Sequence, residues 1–288
     1  MGALHDSDRT ELTGLDDALA GTVLVVAPHM DDEALACGGL IASRPDPRRV
    51  HVVYATDGMK SPAPIVPWRD AISPDLGERR RHESIAAMAL LGVPETNLAF
   101  LGLPEAELPQ HLEALAHGLS ERIAALRPDC ILVPFRYDRH PDHLAVNRVV
   151  TTLKHSGATQ AALLEYFVYH RWRLLPRRDV RAYLRPEHVL RLDIAGVAAR
   201  KRAALDRFRT QTTRFYEWQT RPILQPALLD DECAVPEQFL RYDPALPGSR
   251  VFTGWVAWIR VAHRLEPVLL RWKYLLRSWG LRALGRRA

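Results

Sequence analysis

The sequence predicts an α/β fold, a mainly parallel sheet flanked by helices, with an amphipathic helix at the C-terminal end. Three observations predict it. Apolar runs such as TVLVVA (22–27) and CILVP (130–134) lack polar alternation, as strands buried on both faces do. Stretches with helical spacing separate these runs, and strand–helix alternation is the pattern of parallel βαβ units. From Leu265 on, apolar residues fall at 265, 268, 269, 272, 276 and 279, one face of a helix whose opposite face is basic.

Taken in order, the first strand is 22–27. A polar loop follows, then EALACGGLIAS (33–43), which reads as a helix. RVHVVYAT (49–56) is a second strand that stops at Asp57-Gly58, a turn signal. Residues 59–77 hold Pro and Ser and read as a long loop. GERRRHESIAAMALLGV (77–93) is helical, with Ile85, Met88, Ala89 and Gly92 sharing a face. NLAFLGL (97–103) is the third strand, and QHLEALAHGLSERIAALRP (110–128) an amphipathic helix stopped by Pro128. After the fourth strand, CILVP, comes the polar loop FRYDRH (135–140). PDHLAVNRVVTTLK (141–154) is a helix with Pro141 near its start. ALLEYFVYH (162–170) and HVLRLDI (188–194) read as later strands, and Asp193 as the N-cap of a helix over 194–211. Residues 214–250 combine prolines and aromatics with no clean period. The expected organisation is an N-terminal extension (1–20), an α/β core (21–211), a loop-rich flank or lid (212–250) and a basic amphipathic tail (251–288).

The 288 residues suffice for a real core, and 47% hydrophobic with 25% charged residues is ordinary globular composition. Cys37, Cys130 and Cys233 are odd in number and form no CxxC pair, which argues against a disulfide framework and for a reducing, cytoplasmic location. Residues 1–20 are acidic and lack the apolar core of a secretory signal. No uncharged stretch approaches the roughly 18 residues that span a bilayer. Net charge is +5, but Arg260–Ala288 holds eight Lys/Arg against one Glu, so the rest of the chain is slightly acidic. That body is no basic nucleic-acid surface.

Two His/Asp clusters carry the chemistry: PHMDDE (28–33) after strand one and HPDH (140–143) after strand four. In open α/β sheets, ligands sit at the carboxyl ends of strands, so the fold could bring the clusters together. His29, Asp32 and His143 would then offer two imidazoles and a carboxylate, the three protein ligands of a catalytic zinc with a fourth position for water. Such a metal acidifies water and polarises a carbonyl. Asp31 is left free to accept a proton. His140 could donate one or steady an oxyanion, and Asp142 could hold an imidazole by a hydrogen bond. An Asp-Asp-Glu run is by itself commonly a helix N-terminus, and HPDH alone is a weak signal. It is the conjunction of the two that points to metal-assisted amide hydrolysis.

These segments resemble the LmbE-like, or PIG-L-type, zinc-dependent N-acetylglucosaminyl deacetylases. The resemblance rests on VLVVAPHMDDEALACGGLIA (23–42), YATDG (54–58), RRHESIAAMALLG (80–92), RYDRHPDHLAVNRVV (136–150) and KRAALDRFRTQ (201–211). It implies a Rossmann-like fold with one zinc per chain held by His29, Asp32 and His143, other divalent metals being able to replace it. Asp31 becomes the general base, and His140 the acid or oxyanion stabiliser. Arg80 and Glu83 match the family's Arg-x-x-Glu pair near the substrate. Met30 stands where Pro is commoner. The substrate class implied is an N-acylated, usually N-acetylated, amino sugar or glycoconjugate.

Arg136, Asp138 and Arg139 could line the substrate pocket or simply form a solvated loop. Tyr216 and Trp218 could stack on a sugar or belong to the core. Competing readings are a remnant-site scaffold, which ought to have lost Asp31 or a ligand, and a non-haem iron enzyme, whose His₂-carboxylate triad usually sits on a jelly roll. No G-x-G-x-x-G follows strand one, and no G-x-S-x-G occurs. The tail suits either an anionic membrane surface, with peripheral contact through residues 251–288, or packing on the body or in a dimer.

Overall fold

The computed structural model describes residues 19–62, 72–171 and 173–245, together with 258, 260–262, 264, 265, 268, 269, 272 and 276. Residues 1–18 of the expected N-terminal extension (1–20) lie outside that set, as do residues 63–71 of the loop expected over 59–77.

Among the described residues one seven-stranded sheet organises the fold, in the order β3-β2-β1-β4-β5-β7-β6. β1 (Val23–Ala27), β2 (Val50–Thr56), β3 (Leu98–Leu103), β4 (Cys130–Pro134) and β5 (Ala162–Tyr166) run parallel. β7 (Glu237–Arg241) is antiparallel to β5, and β6 (Val189–Leu192) is antiparallel to β7. The apolar runs are central strands because both of their faces are covered. Val23, Val25 and Ala27 pack with residues of α1 (Asp32–Ser43), α2 (Leu76–Leu91), α5 (Ala198–Leu205) and α7 (Pro226–Ala234). Leu24 and Val26 face the opposite layer, built by α3 (Leu112–Leu126) and α4 (Pro141–His155). α3 buries Leu115, Leu119 and Ile123, one stripe at four-residue spacing.

Three expectations are corrected. The segment 212–250 is more than a flank: it supplies α7 and β7, and β7 sits inside the sheet. Its signal was hidden because Glu237 is charged yet buried. The Lys201 ammonium donates to Glu237 Oε1 at 2.8 Å, and the same carboxylate accepts from Gly39 N and Leu40 N of α1 at 2.6 and 2.7 Å. The helix expected over 194–211 is two pieces, α5 and α6 (Arg209–Thr212), and Asp193 accepts from Ala195 N without capping α5. The fifth strand stops at Tyr166, so Phe167–His170 turns out of the sheet. A third apolar cluster, with Phe135, Phe167, Leu175, Tyr183, Leu240 and Ala262, fills the space beneath that connection.

Candidate functional site

β1 and β4 are neighbours in the sheet where its strand order reverses, so the loops after them open at one crevice. PHMDDE leaves β1 and runs straight into α1. Asp32 and Glu33 occupy the first turn of that helix, where backbone N–H groups favour carboxylates. HPDH follows the β4 loop, with Pro141 in the first turn of α4 and His140 as its N-cap.

Three atoms converge in the crevice. His29 Nδ1 lies 3.1 Å from Asp32 Oδ2, His143 Nε2 lies 3.2 Å from the same oxygen, and the two nitrogens are 3.2 Å apart. Each remaining ring nitrogen faces a carboxylate: His29 Nε2 meets Asp142 Oδ2 at 3.1 Å, and His143 Nδ1 meets Asp138 Oδ2 at 3.2 Å. Asp142 holds the outer ring proton of His29, and the Asp138 carboxylate favours the proton of His143 on Nδ1 by charge, which leaves two imidazole lone pairs and a carboxylate oxygen pointed at one another. Three buried electron-rich atoms in mutual contact repel unless a cation sits among them. Four ligands at about 2.0–2.1 Å around a tetrahedral zinc stand roughly 3.3 Å apart, close to the observed triangle. The residues therefore fit a metal ion. His29, His140 and His143 also offer one nitrogen each within 4.8 Å of one another. The Asp32-containing triangle is tighter and consists of a metal-like donor set. His140 Nδ1 is already engaged, accepting from Asp142 N at 3.2 Å.

Electrostatics follow the geometry. Burial opposes charge on every one of these groups, yet paired contacts overcome it. Asp32 is held well below the usual carboxylate range by His143 and His29. His29 is raised to about 9 by Asp32 and Asp142, and His143 is raised by Asp138 and Asp32. This field favours positive charge at the triangle. His140 is pushed the other way, to about 3, by burial and then by the neighbouring imidazoles. It is neutral, and with Nδ1 accepting, the network assigns its proton to Nε2. Burial raises Asp31 to about 7, with Arg80 opposing and Asp32 assisting.

Several expected pocket residues stand elsewhere. Arg80 is fully buried behind Asp31, with Nη2 3.6 Å from Asp31 Oδ1. It donates to Glu105 at 3.3 Å and to Met30 O at 3.2 Å. Gly58 makes this approach possible: at φ +70° it lets the Met30 methyl and Arg80 stem come so close that a Cβ would lie 2.4 Å from Met30 Cε. Glu83 accepts from Thr210 N at 2.9 Å and from its hydroxyl at 2.6 Å, fastening α2 to α6. Arg136 clasps the buried Glu165, donates to Asp243 O at 2.6 Å and lies over the Tyr242 ring. The guanidinium of Arg136 is thereby committed away from the crevice. Arg139 reaches Arg171 O at 2.8 Å on the rim. Asp138 is no lining residue: it holds His143 and accepts from His140 N at 2.8 Å and Tyr169 N at 3.1 Å. Tyr216 and Trp218 stack on each other, and the Tyr216 hydroxyl accepts from Ser73 N.

Asp142, beside its 3.1 Å contact with His29 Nε2, also accepts from Ala106 N at 2.7 Å and Leu108 N at 3.1 Å. Sequence reasoning missed Glu33, Glu105 and Tyr169. Glu33, the last letter of PHMDDE, accepts from Asp31 N at 3.1 Å and Tyr54 OH at 3.0 Å, so it shapes the loop that presents Asp31. Tyr169 packs its ring 5.2 Å from His143 and 5.8 Å from His140, while 40% exposed. Nothing in a run of strand-like apolar residues distinguished it.

Asp138 allows a sharp test. All three of its contacts are donors, so the amide of Asp138→Asn must turn an N–H₂ against one of them. Metal affinity is expected to fall about 10–100-fold, as when other partners of metal-bound imidazoles are removed. Competition against a fluorescent zinc chelator measures it; unchanged affinity would deny Asp138 this role.

Comparison with known proteins comes to the same crevice. A family profile described as "PIG-L: GlcNAc-PI de-N-acetylase" matches residues 24–154, which span both clusters. The 2'-N-acetylparomamine deacetylase of Streptomyces fradiae is 30% identical over 230 residues, 73% of this chain and 79% of the relative. Among solved structures, N,N'-diacetylchitobiose deacetylase from Pyrococcus horikoshii superposes with a TM-score of 0.53 at 19% identity, covering 83% of this chain and 94% of its own. The zinc-inhibited form of teicoplanin deacetylase Orf2 gives 0.56 at 18% identity, covering 77% and 99%. At such identities these two similarities bear on the fold.

Proposed function

The chain belongs to the PIG-L (GlcNAc-PI de-N-acetylase) family of deacetylases, and on that premise we propose that it is a metal-dependent hydrolase removing an N-acyl group, most simply acetyl, from an amino sugar or glycoconjugate. The observation that carries this reading is the triangle of His29 Nδ1, Asp32 Oδ2 and His143 Nε2, with Asp31 beside it. The relative named for acetylparomamine, 30% identical to this chain, supports an N-acetylated amino sugar as the substrate class.

His29, Asp32 and His143 would hold the metal, which zinc suits best. When bound, such an ion acidifies water and polarises the amide carbonyl. Asp31 accepts the proton of the attacking water at its carboxylate, then returns it to the departing amine nitrogen. A carboxyl raised to about 7 is matched to both transfers near neutral pH. Arg80 fixes that carboxylate from behind and keeps part of it ionised. His140 stays neutral, so it serves as an Nε2–H donor to the developing oxyanion rather than as an imidazolium acid. Asp142 and Asp138 keep the two ligand rings in one tautomer and one orientation.

The test is a panel of N-acetylated aminoglycosides, chitooligosaccharides and glucosamine conjugates, incubated with zinc-loaded enzyme. Equal release of free amine and acetate from one class is expected. Folded, metal-loaded protein that releases acetate from none of them would favour the remnant-site scaffold instead.

A further inference from the structure

The described helical residues of the tail leave an apolar stripe uncovered. Trp258, Val261, Leu265, Val268, Leu269, Trp272 and Leu276 are 40–66% exposed, at spacings of three and four residues apart from the adjacent pair Val268 and Leu269. These described residues make a larger apolar surface than the isolated side chains normal on a protein. Arg260 and Arg264 are exposed on another side, and the sequence adds Arg271, Lys273, Arg277, Arg282, Arg286 and Arg287. None of the described helices is long and apolar enough to cross a membrane, and the mixture of apolar and basic residues in the tail sequence suits an interfacial position.

The body meets this helix with charge of the same sign. In the connection after β5, Arg171, Arg173, Arg177 and Arg178 are all exposed. Trp258 Nε1 donates to Leu174 O at 2.9 Å, and Ala262 is buried against Leu175 and its neighbours. A cavity of about 470 Å³ lies between the two elements, lined by Arg173, Leu174, Leu175, Pro176, Arg178 and Trp258. Two guanidiniums beside an indole and aliphatic groups suit a phosphate with acyl chains attached.

We propose that the C-terminal helix and the arginine-rich connection after β5 form one docking face for an anionic phospholipid surface. Apolar side chains enter the headgroup boundary while the basic ones meet phosphates, the two attractions that bind an amphipathic helix in the interface plane. The charge argues for lipid over a second copy of the chain, because two such faces would bring like charges together. Tyr169, on the same connection and against His140, sets the crevice beside this face. The inference is independent of the reaction assigned above, since binding is read without substrate.

The experiment is co-sedimentation of the full chain with phosphatidylcholine vesicles, with and without phosphatidylglycerol. Binding is expected to be at least about tenfold stronger with the anionic lipid and to weaken with salt. Leu265→Glu with Trp272→Glu should abolish it. Arg173→Glu with Arg178→Glu should remove the preference for phosphatidylglycerol, with unchanged circular dichroism and metal content in both variants. Equal sedimentation with both vesicle types, or wild-type binding by the helix variant, overturns the proposal. So does a helix variant that converts a dimer to a monomer on gel filtration with no vesicle binding in the parent, which would assign the face to a second copy.

Discussion

Asp31→Asn is expected to lower turnover roughly 10³-fold while leaving metal content unchanged, within the 10²–10⁴ range that general-base removal costs. The substitution keeps shape and leaves the triangle of His29, Asp32 and His143 intact. Glu33 still accepts the residue-31 amide, because that contact belongs to the backbone. What disappears is a site that can take up a proton near pH 7. Steady-state kinetics beside metal analysis by mass spectrometry separates the two effects. Activity within about threefold of wild type would place the base elsewhere; loss of metal along with activity would make Asp31 a ligand.

His143→Ala should do the reverse. It removes one corner of the triangle, so the metal copurifying with the wild type should be absent and affinity should fall beyond the 10–100-fold that outer partners control. It also takes the imidazole away from two buried carboxylates, Asp138 and Asp32, that face its nitrogens at 3.2 Å, leaving Asp138 with its two backbone donors and Asp32 with His29. Breaking a buried ionic contact from one side costs about 3–5 kcal/mol, so the melting temperature should drop as well. Chelator-treated wild type separates the contributions: it loses the metal but keeps His143 paired. If His143→Ala binds zinc as tightly as the parent, the two clusters do not form one centre.

The strands at the middle of the sheet were readable because burial on both faces leaves an unbroken apolar run. CILVP coincides with β4, and VLVVA with β1. The site was readable for a related reason: each cluster sits where such a run ends, so topology alone brings the two together. β7 was not readable, since EQFLR carries its information in a partner, Lys201, distant in sequence. The same limit explains Arg80, Glu83 and Arg136. Their residue types suggest a pocket, yet each finds its counter-charge or donors in the interior, on Glu105, Thr210 and Glu165. Asp138 lay in a polar loop of the sequence, and only the fold turns it under the His143 ring. A charged residue's type states that it needs a partner, not which side of the protein supplies it.

The place of β7 between β5 and β6 has a bearing on how the chain is made. β6 is complete at Leu192, but its hydrogen-bonding partner ends at Arg241, so β5 presents a bare edge and β6 stays unpaired until the ribosome has added about fifty more residues, some 2–10 s at ordinary rates of synthesis. Through that interval α1, which begins at the ligand Asp32, also lacks the Glu237 carboxylate that receives its Gly39 and Leu40 amides. Both clusters have left the tunnel long before the helix carrying one of them is secured. The nascent protein therefore passes through a stage with a sticky sheet edge and a loosely held centre, and a premature stop between β6 and β7 would freeze it there.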